Sequence, residues 1–172
     1  STEKMSSGKN IQVLEGETDN EKLLELCERT YKEQAVWFLN AYWDKLEPHA
    51  EQLWAYVHKC NDLDAENHEL GTGLDELNAH RLLEAFDETL TVRAMRAELR
   101  STGALGEKER PKTVPLCHYL LCRFKDECDW HNLVNASQGN NREEIEEAER
   151  RLAEVQAAFA ECEKRDGEAA RA

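Results

Sequence analysis

The chain has 172 residues, 34% charged and 40% apolar, and its 22 Lys and Arg against 36 Asp and Glu leave a formal charge of −14. That apolar content suffices for one ordinary core, while the net negative field repels phosphate backbones and anionic lipid heads, so neither nucleic-acid binding nor adhesion to an acidic membrane surface is expected. No apolar run approaches the roughly 20 residues needed to cross a bilayer, and the polar opening STEKMSSGKN does not read as a signal peptide. A soluble, cytoplasmic chain without membrane insertion is expected.

Leu (21) and Ala (19) far outnumber Val and Ile together (9), and no stretch alternates strictly between apolar and polar, so the expected fold class is all-α. The six cysteines, at 27, 60, 117, 122, 128 and 162, are even in number, but most lie inside apolar helical patterns such as WAYVHKC and LCHYLLC. Reduced, buried thiols are the expectation.

Residues 1–17 carry Ser, Gly and charge without periodicity and read as a flexible leader. Thr18 or Asp19 can cap a long helix whose stripe is Leu24, Cys27, Tyr31, Ala35, Phe38, Tyr42 and Leu46, ending before Pro48. A second helix carries Leu53, Val57 and Cys60, followed by an acidic loop, and Leu74, Leu77, Leu83 and Phe86 support a third. Thr91 caps a helix with Val92, Met95 and Leu99 that stops near Gly103. A loop marked by Gly106, Pro111 and Pro115 leads to a helix with Leu116, Leu120 and Phe124, and a turn around Trp130, Leu133 and Val134 closes a domain spanning 18–137. From 138 to 172 the pattern is different. Ile145, Ala148, Leu152, Val155, Phe159 and Cys162 step by three and four residues as a heptad seam, too narrow for an isolated helix. This coiled-coil helix either packs on its own domain or pairs with another chain, self-association being the favoured expectation, and the natural chain is expected to continue beyond Ala172.

The stretch GLDELNAHRLLEAF and the stretch TVPLCHYLLCRF share one plan: an apolar residue, four places later a polar one, then an exiting helix. Over about residues 50–125 this resembles the paired EF-hand proteins, with Leu74 and Val114 at the positions that pair the two loops and Asn78 and His118 at the last ligand positions. With the YKEQAVWFLNAYW and NLVNASQGNN flanks, the chain is similar to protist calcium-binding proteins, slime-mould ones among them, in which such a pair precedes a coiled coil. The resemblance implies a calcium site and a cytoskeletal setting. The residues depart from it. Calcium takes six to eight oxygens, with acids at alternate early positions, Gly at the sixth and a bidentate Glu at the twelfth. Counting back from Asn78 puts Asn67, Glu69 and Gly71 at the first, third and fifth positions and Thr72 at the sixth; the second loop offers Glu107, Glu109, Pro111 and Lys112, with His118 last. A longer register uses Asp62, Asp64 and Glu66 as early ligands.

Residues 61–88 carry a net charge of −8 and residues 93–112 one of +3, so a basic loop beside an acidic one could replace an ion by internal counter-charge. Cys117, His118, Cys122, Cys128 and His131 invite a zinc reading, but Cys117 and Cys122 are five apart on a helix instead of forming a close pair on a turn. No Cys/His pair carries a local catalytic signature. The expected function is a non-enzymatic structural or scaffolding module, an EF-hand-like domain with vestigial loops and no cofactor, meeting protein partners or itself through its C-terminal helix. The alternative is a calcium sensor or buffer binding one ion through Asp62, Asp64 and Glu66.

Overall fold

A computed structural model describes residues 13–136, 138 and 141–171. The described residues are mostly helical: α1 Asp19–Cys27, α2 Tyr31–Ala41, α3 Trp43–Leu46, α4 Ala50–Leu63, α5 Glu76–Ala85, α6 Val92–Thr102, α7 Leu116–Arg123, α8 Trp130–Asn135 and α9 Arg142–Arg171. Two short strands, β1 Gly73–Leu74 and β2 Val114–Pro115, complete the order.

The single long helix expected from residue 18 to 46 is three. Two reciprocal caps start its first two pieces, Thr18 with Glu21 for α1 and Thr30 with Glu33 for α2, and the backbone leaves helical geometry again at Tyr42, before α3. In each, the Thr hydroxyl accepts the third helical N–H and the Glu carboxylate accepts the cap's own N–H, so two otherwise orphaned donors are satisfied and a fresh helix is favoured. The break rotates the apolar faces. Leu24 is exposed, whereas Leu23, Leu26 and Cys27 are buried. Of the expected leader, residues 1–12 lie outside the described residues, but Leu14 is buried in the core and the Val13 carbonyl accepts Arg29 Nη2 at 3.1 Å.

Helices α4 and α5 flank one loop and α6 and α7 another, and the two helix–loop–helix units meet through an antiparallel ladder pairing Gly73 with Pro115 and Leu74 with Val114. Gly103 ends α6 at φ +86, a left-handed conformation that costs glycine little. Between the units, Tyr56 of α4 meets Phe86 and Tyr119 edge to face, with centroids 4.7 and 5.0 Å away. Around this pair, α2 packs on α4 and α7, and α1 packs on α8. Helix α9 packs its first turns on α4.

Candidate functional site

In the first loop, between α4 and β1, the centre is filled by protein. Tyr31 opens α2, and its hydroxyl donates to Asp64 Oδ2 at 2.7 Å; burial, then this hydrogen bond, push the phenol well above its ordinary pKa, so it stays a donor. Asp64 Oδ1 accepts the Asn67 N–H at 3.0 Å, and the Tyr31 N–H donates to the Gly71 carbonyl at 3.2 Å. The approach is so close that a Cβ on Gly71 would collide with the Asp64 carboxylate and the Tyr31 ring. Asp64 is therefore buried and turned inward, while Asp62 and Glu66 are exposed; the loop does not gather the three. At the expected last ligand position, the Asn78 amide oxygen accepts Arg81 Nη1 at 3.3 Å.

The second loop is held by two arginines of α6. Arg100 donates through Nη2 to the Glu109 carbonyl at 2.7 Å and through Nε to the Gly106 carbonyl at 3.3 Å. Arg96 Nη2 donates to the Pro111 carbonyl at 2.9 Å, and its Nη1 reaches Glu76 Oε2 at 2.8 Å. Guanidinium groups thus satisfy carbonyl oxygens that would otherwise need a cation or water, and Arg96 ties the basic loop to the first helical turn beyond the acidic one.

A hub that the sequence did not reveal joins the two loops. Gln34 is fully buried on α2; its Nε2 donates to the Arg29 and Thr72 carbonyls at 2.7 and 2.8 Å, and its Oε1 accepts the Cys117 N–H at 2.7 Å. One amide therefore fixes the α1–α2 turn, the residue before β1 and the first turn of α7. Cys117 Sγ lies 2.7 Å from Cys27 Sγ, and His118 is buried with Nδ1 lacking a hydrogen-bond partner. The rest of that Cys and His cluster is dispersed: Cys122 Sγ donates to the Met95 carbonyl at 3.6 Å, Cys128 is buried apart, and exposed His131 bonds Asp19 at 2.6 Å. Among the described residues, no three His, Cys, Asp or Glu side chains are grouped so as to hold a metal ion.

The heptad seam divides. Ile145 and Ala148 are 2% and 0% exposed in the core, Leu152 is half-buried, and Val155, Phe159 and Cys162 are exposed, Val155 at 60% and Phe159 at 70%. The anchored part is fixed by polar contacts as well: Trp54 Nε1 donates to the Ile145 carbonyl at 2.8 Å, His58 meets Glu149 at 3.0 Å, and Arg151 meets Glu51 at 2.9 Å. Past Leu152 the helix continues for about 28 Å at 1.5 Å per residue, and its residues from Ala153 to Asp166 are exposed. The arrangement offers an apolar strip on a projecting helix, two loops whose inner acceptors are taken by side chains, and one buried thiol pair. Comparison with protein-family models, curated proteins and solved structures finds no match.

Proposed function

We propose that the chain is a non-enzymatic interaction module: an EF-hand-like pair whose loops are held without calcium, carrying a coiled-coil arm through which two copies associate. The observation that carries this reading is the division of the α9 seam, buried at Ile145 and Ala148 and exposed at Val155 and Phe159. A helix that spent its apolar stripe on its own domain would not leave a phenylalanine 70% exposed in the same register. Two further observations support the EF-hand-like part. Leu74 and Val114, the residues expected to pair the loops, are ladder partners, and each loop's interior is filled, by Tyr31 with Asp64 in one and by Arg96 with Arg100 in the other. The cytoskeletal setting rests on the family resemblance of the sequence alone.

Light scattering over a concentration series, under reducing conditions, tests the arm. The expected mass tends toward twice 19.8 kDa for the wild type and stays at 19.8 kDa for Phe159→Glu. A wild type that remains a monomer throughout would refute self-association. Calorimetry with calcium tests the loops: no saturable heat is expected, and a saturable site abolished by Asp62→Ala plus Asp64→Ala would establish the calcium-sensor reading instead.

A further inference from the structure

Cys27 is the last residue of α1 and Cys117 lies in the first turn of α7, 90 positions later, yet their Sγ atoms are 2.7 Å apart in the core. That is less than one ångström beyond the roughly 2.0 Å of a disulfide bond. No other described cysteine has a thiol partner of this kind: Cys60 is buried alone, and Cys122 bonds a carbonyl. His118 lies beside Cys27, 5% exposed, and its Nδ1 makes no hydrogen bond of ordinary geometry. A buried imidazole nitrogen without a partner is costly unless it has a task. A cavity of about 350 Å³ between α1, the second loop and the start of α7 is lined by both Cys27 and His118, and its rim includes the exposed Leu24, Glu28 and Glu109. A small polar molecule can therefore reach the sulfur, which a closed core would forbid.

We propose that Cys27 and Cys117 form a peroxide-reactive pair, in which hydrogen peroxide entering this cavity oxidises the two thiols to a disulfide and His118 handles the proton. His118 Nδ1 takes the proton of the Cys27 thiol. The thiolate attacks one peroxide oxygen; the S–O bond forms, the O–O bond breaks, and the departing hydroxide takes the proton from the imidazolium to leave as water. Cys117 Sγ then attacks the sulfenic sulfur of Cys27; the S–S bond forms, the S–O bond breaks, and the second hydroxide leaves as water with the Cys117 proton. Two thiols and one peroxide give one disulfide and two waters, with both sulfurs oxidised and both peroxide oxygens reduced.

Position assigns the roles. Cys27 lines the cavity, whereas Cys117 is fully buried and is not among its lining residues, so an entering peroxide meets Cys27 first. The charges point the same way: the hydrogen bond with Cys117 and the neighbouring His118 hold the Cys27 thiol below its ordinary pKa against the pull of burial, whereas burial and the Cys27 sulfur push Cys117 up. Cys27 is therefore the attacking sulfur and Cys117 the resolving one. By contrast, burial pushes Cys122 and Cys128 up to about 12, which leaves them poor nucleophiles.

The test is peptide mapping of the full chain carrying Cys162→Ser, which removes the exposed thiol, after a small molar excess of hydrogen peroxide. The expected result is a mass lower by two hydrogens, one Cys27–Cys117 cross-linked peptide, and recovery of both thiols on reduction. His118→Gln should form the same cross-link about 100-fold more slowly, the scale of a general base. Cys162 is exposed on the projecting helix, so its replacement by Ser leaves the body intact and this mapping decides without the His118 variant. Intact Cys27 and Cys117 thiols alongside oxidised Cys122 or Cys128, or a Cys27 that stops at sulfinic acid, would overturn the proposal.

Discussion

The indole of Trp54, on α4, donates its N–H to the Ile145 carbonyl of α9 at 2.8 Å, inside the core and 91 residues along the chain. This bond fixes the root of the projecting helix beside the buried Ile145 and Ala148, and it is the buried one of the three polar contacts there. Replacing Trp54 by Phe removes the donor and part of the ring, at an expected cost of about 2 kcal/mol in chemical denaturation. Amide exchange over residues 142–152 should accelerate more than exchange in α6 or α7. Equal acceleration everywhere would show that the arm's root is not separately anchored.

Gln34 gives a sharper stability test. Gln34→Ala removes three hydrogen bonds, to the Arg29 and Thr72 carbonyls and from the Cys117 N–H, and at roughly 1 to 3 kcal/mol for each lost contact in or at the edge of the core a loss of about 4 kcal/mol is expected. Gln34→Glu keeps the acceptor for Cys117 but turns a donor into a second acceptor facing two carbonyls. It should be at least as destabilising as the alanine variant in the same denaturation assay.

The divided seam separates stability from assembly. Ala148→Glu places a carboxylate at a fully buried position of α9 and should destabilise the fold by several kcal/mol. Phe159→Glu, on the exposed part, should leave the melting curve of the body within about 0.5 kcal/mol while lowering the mass in light scattering. Similar effects of both substitutions on melting would mean that the whole seam packs on the body in solution.

The reactivity of Cys27 carries a definite pH dependence. The groups facing it are Cys117, which lowers its pKa most, His118, which also lowers it, and Glu28, which raises it. With its pKa held below the ordinary thiol value, the thiolate persists to lower pH, so cross-linking by peroxide should level off before pH 8. An ordinary thiol near 8.5 would still be accelerating there. The same depression adds stability above the unfolded thiol's pKa and removes it as pH falls through the lowered folded value, while the raised Cys117 acts in the opposite direction at alkaline pH. A cross-linking midpoint near 8.5 would contradict the assignment of Cys27 as the attacking sulfur.

Much of the architecture was legible because local chemistry wrote it. Thr91 and Gly103 bound α6 as expected, and Leu74 and Val114, nominated by the resemblance of their two stretches to paired EF-hand units, are paired in the ladder. The long first helix failed because an apolar repeat runs on through residues 28–30 and masks the Thr30–Glu33 cap, whose two hydrogen bonds outweigh helical continuity there. Gln34 was not legible: a glutamine at helical spacing reads as surface, and only the meeting of three backbone segments makes it core. The Cys27–Cys117 contact likewise depends on how α1 docks on α7. In α9 the spacing is uniform from Ile145 to Cys162, and burial changes along it because only its first turns dock on α4, a fact written in another part of the chain.

Because α9 runs unbroken from its buried root into the exposed strip, it works as a keyed shaft: the azimuth of Phe159 is set by the docking of Ala148. Each residue of an α-helix turns the axis by about 100°. One alanine inserted after Ala153 would leave the root contacts in place yet swing the strip by that angle about its own axis. If two copies associate as proposed, they would then hold their bodies at a different dihedral angle, and the residue count between Leu152 and Val155 would set how the two domains face one another.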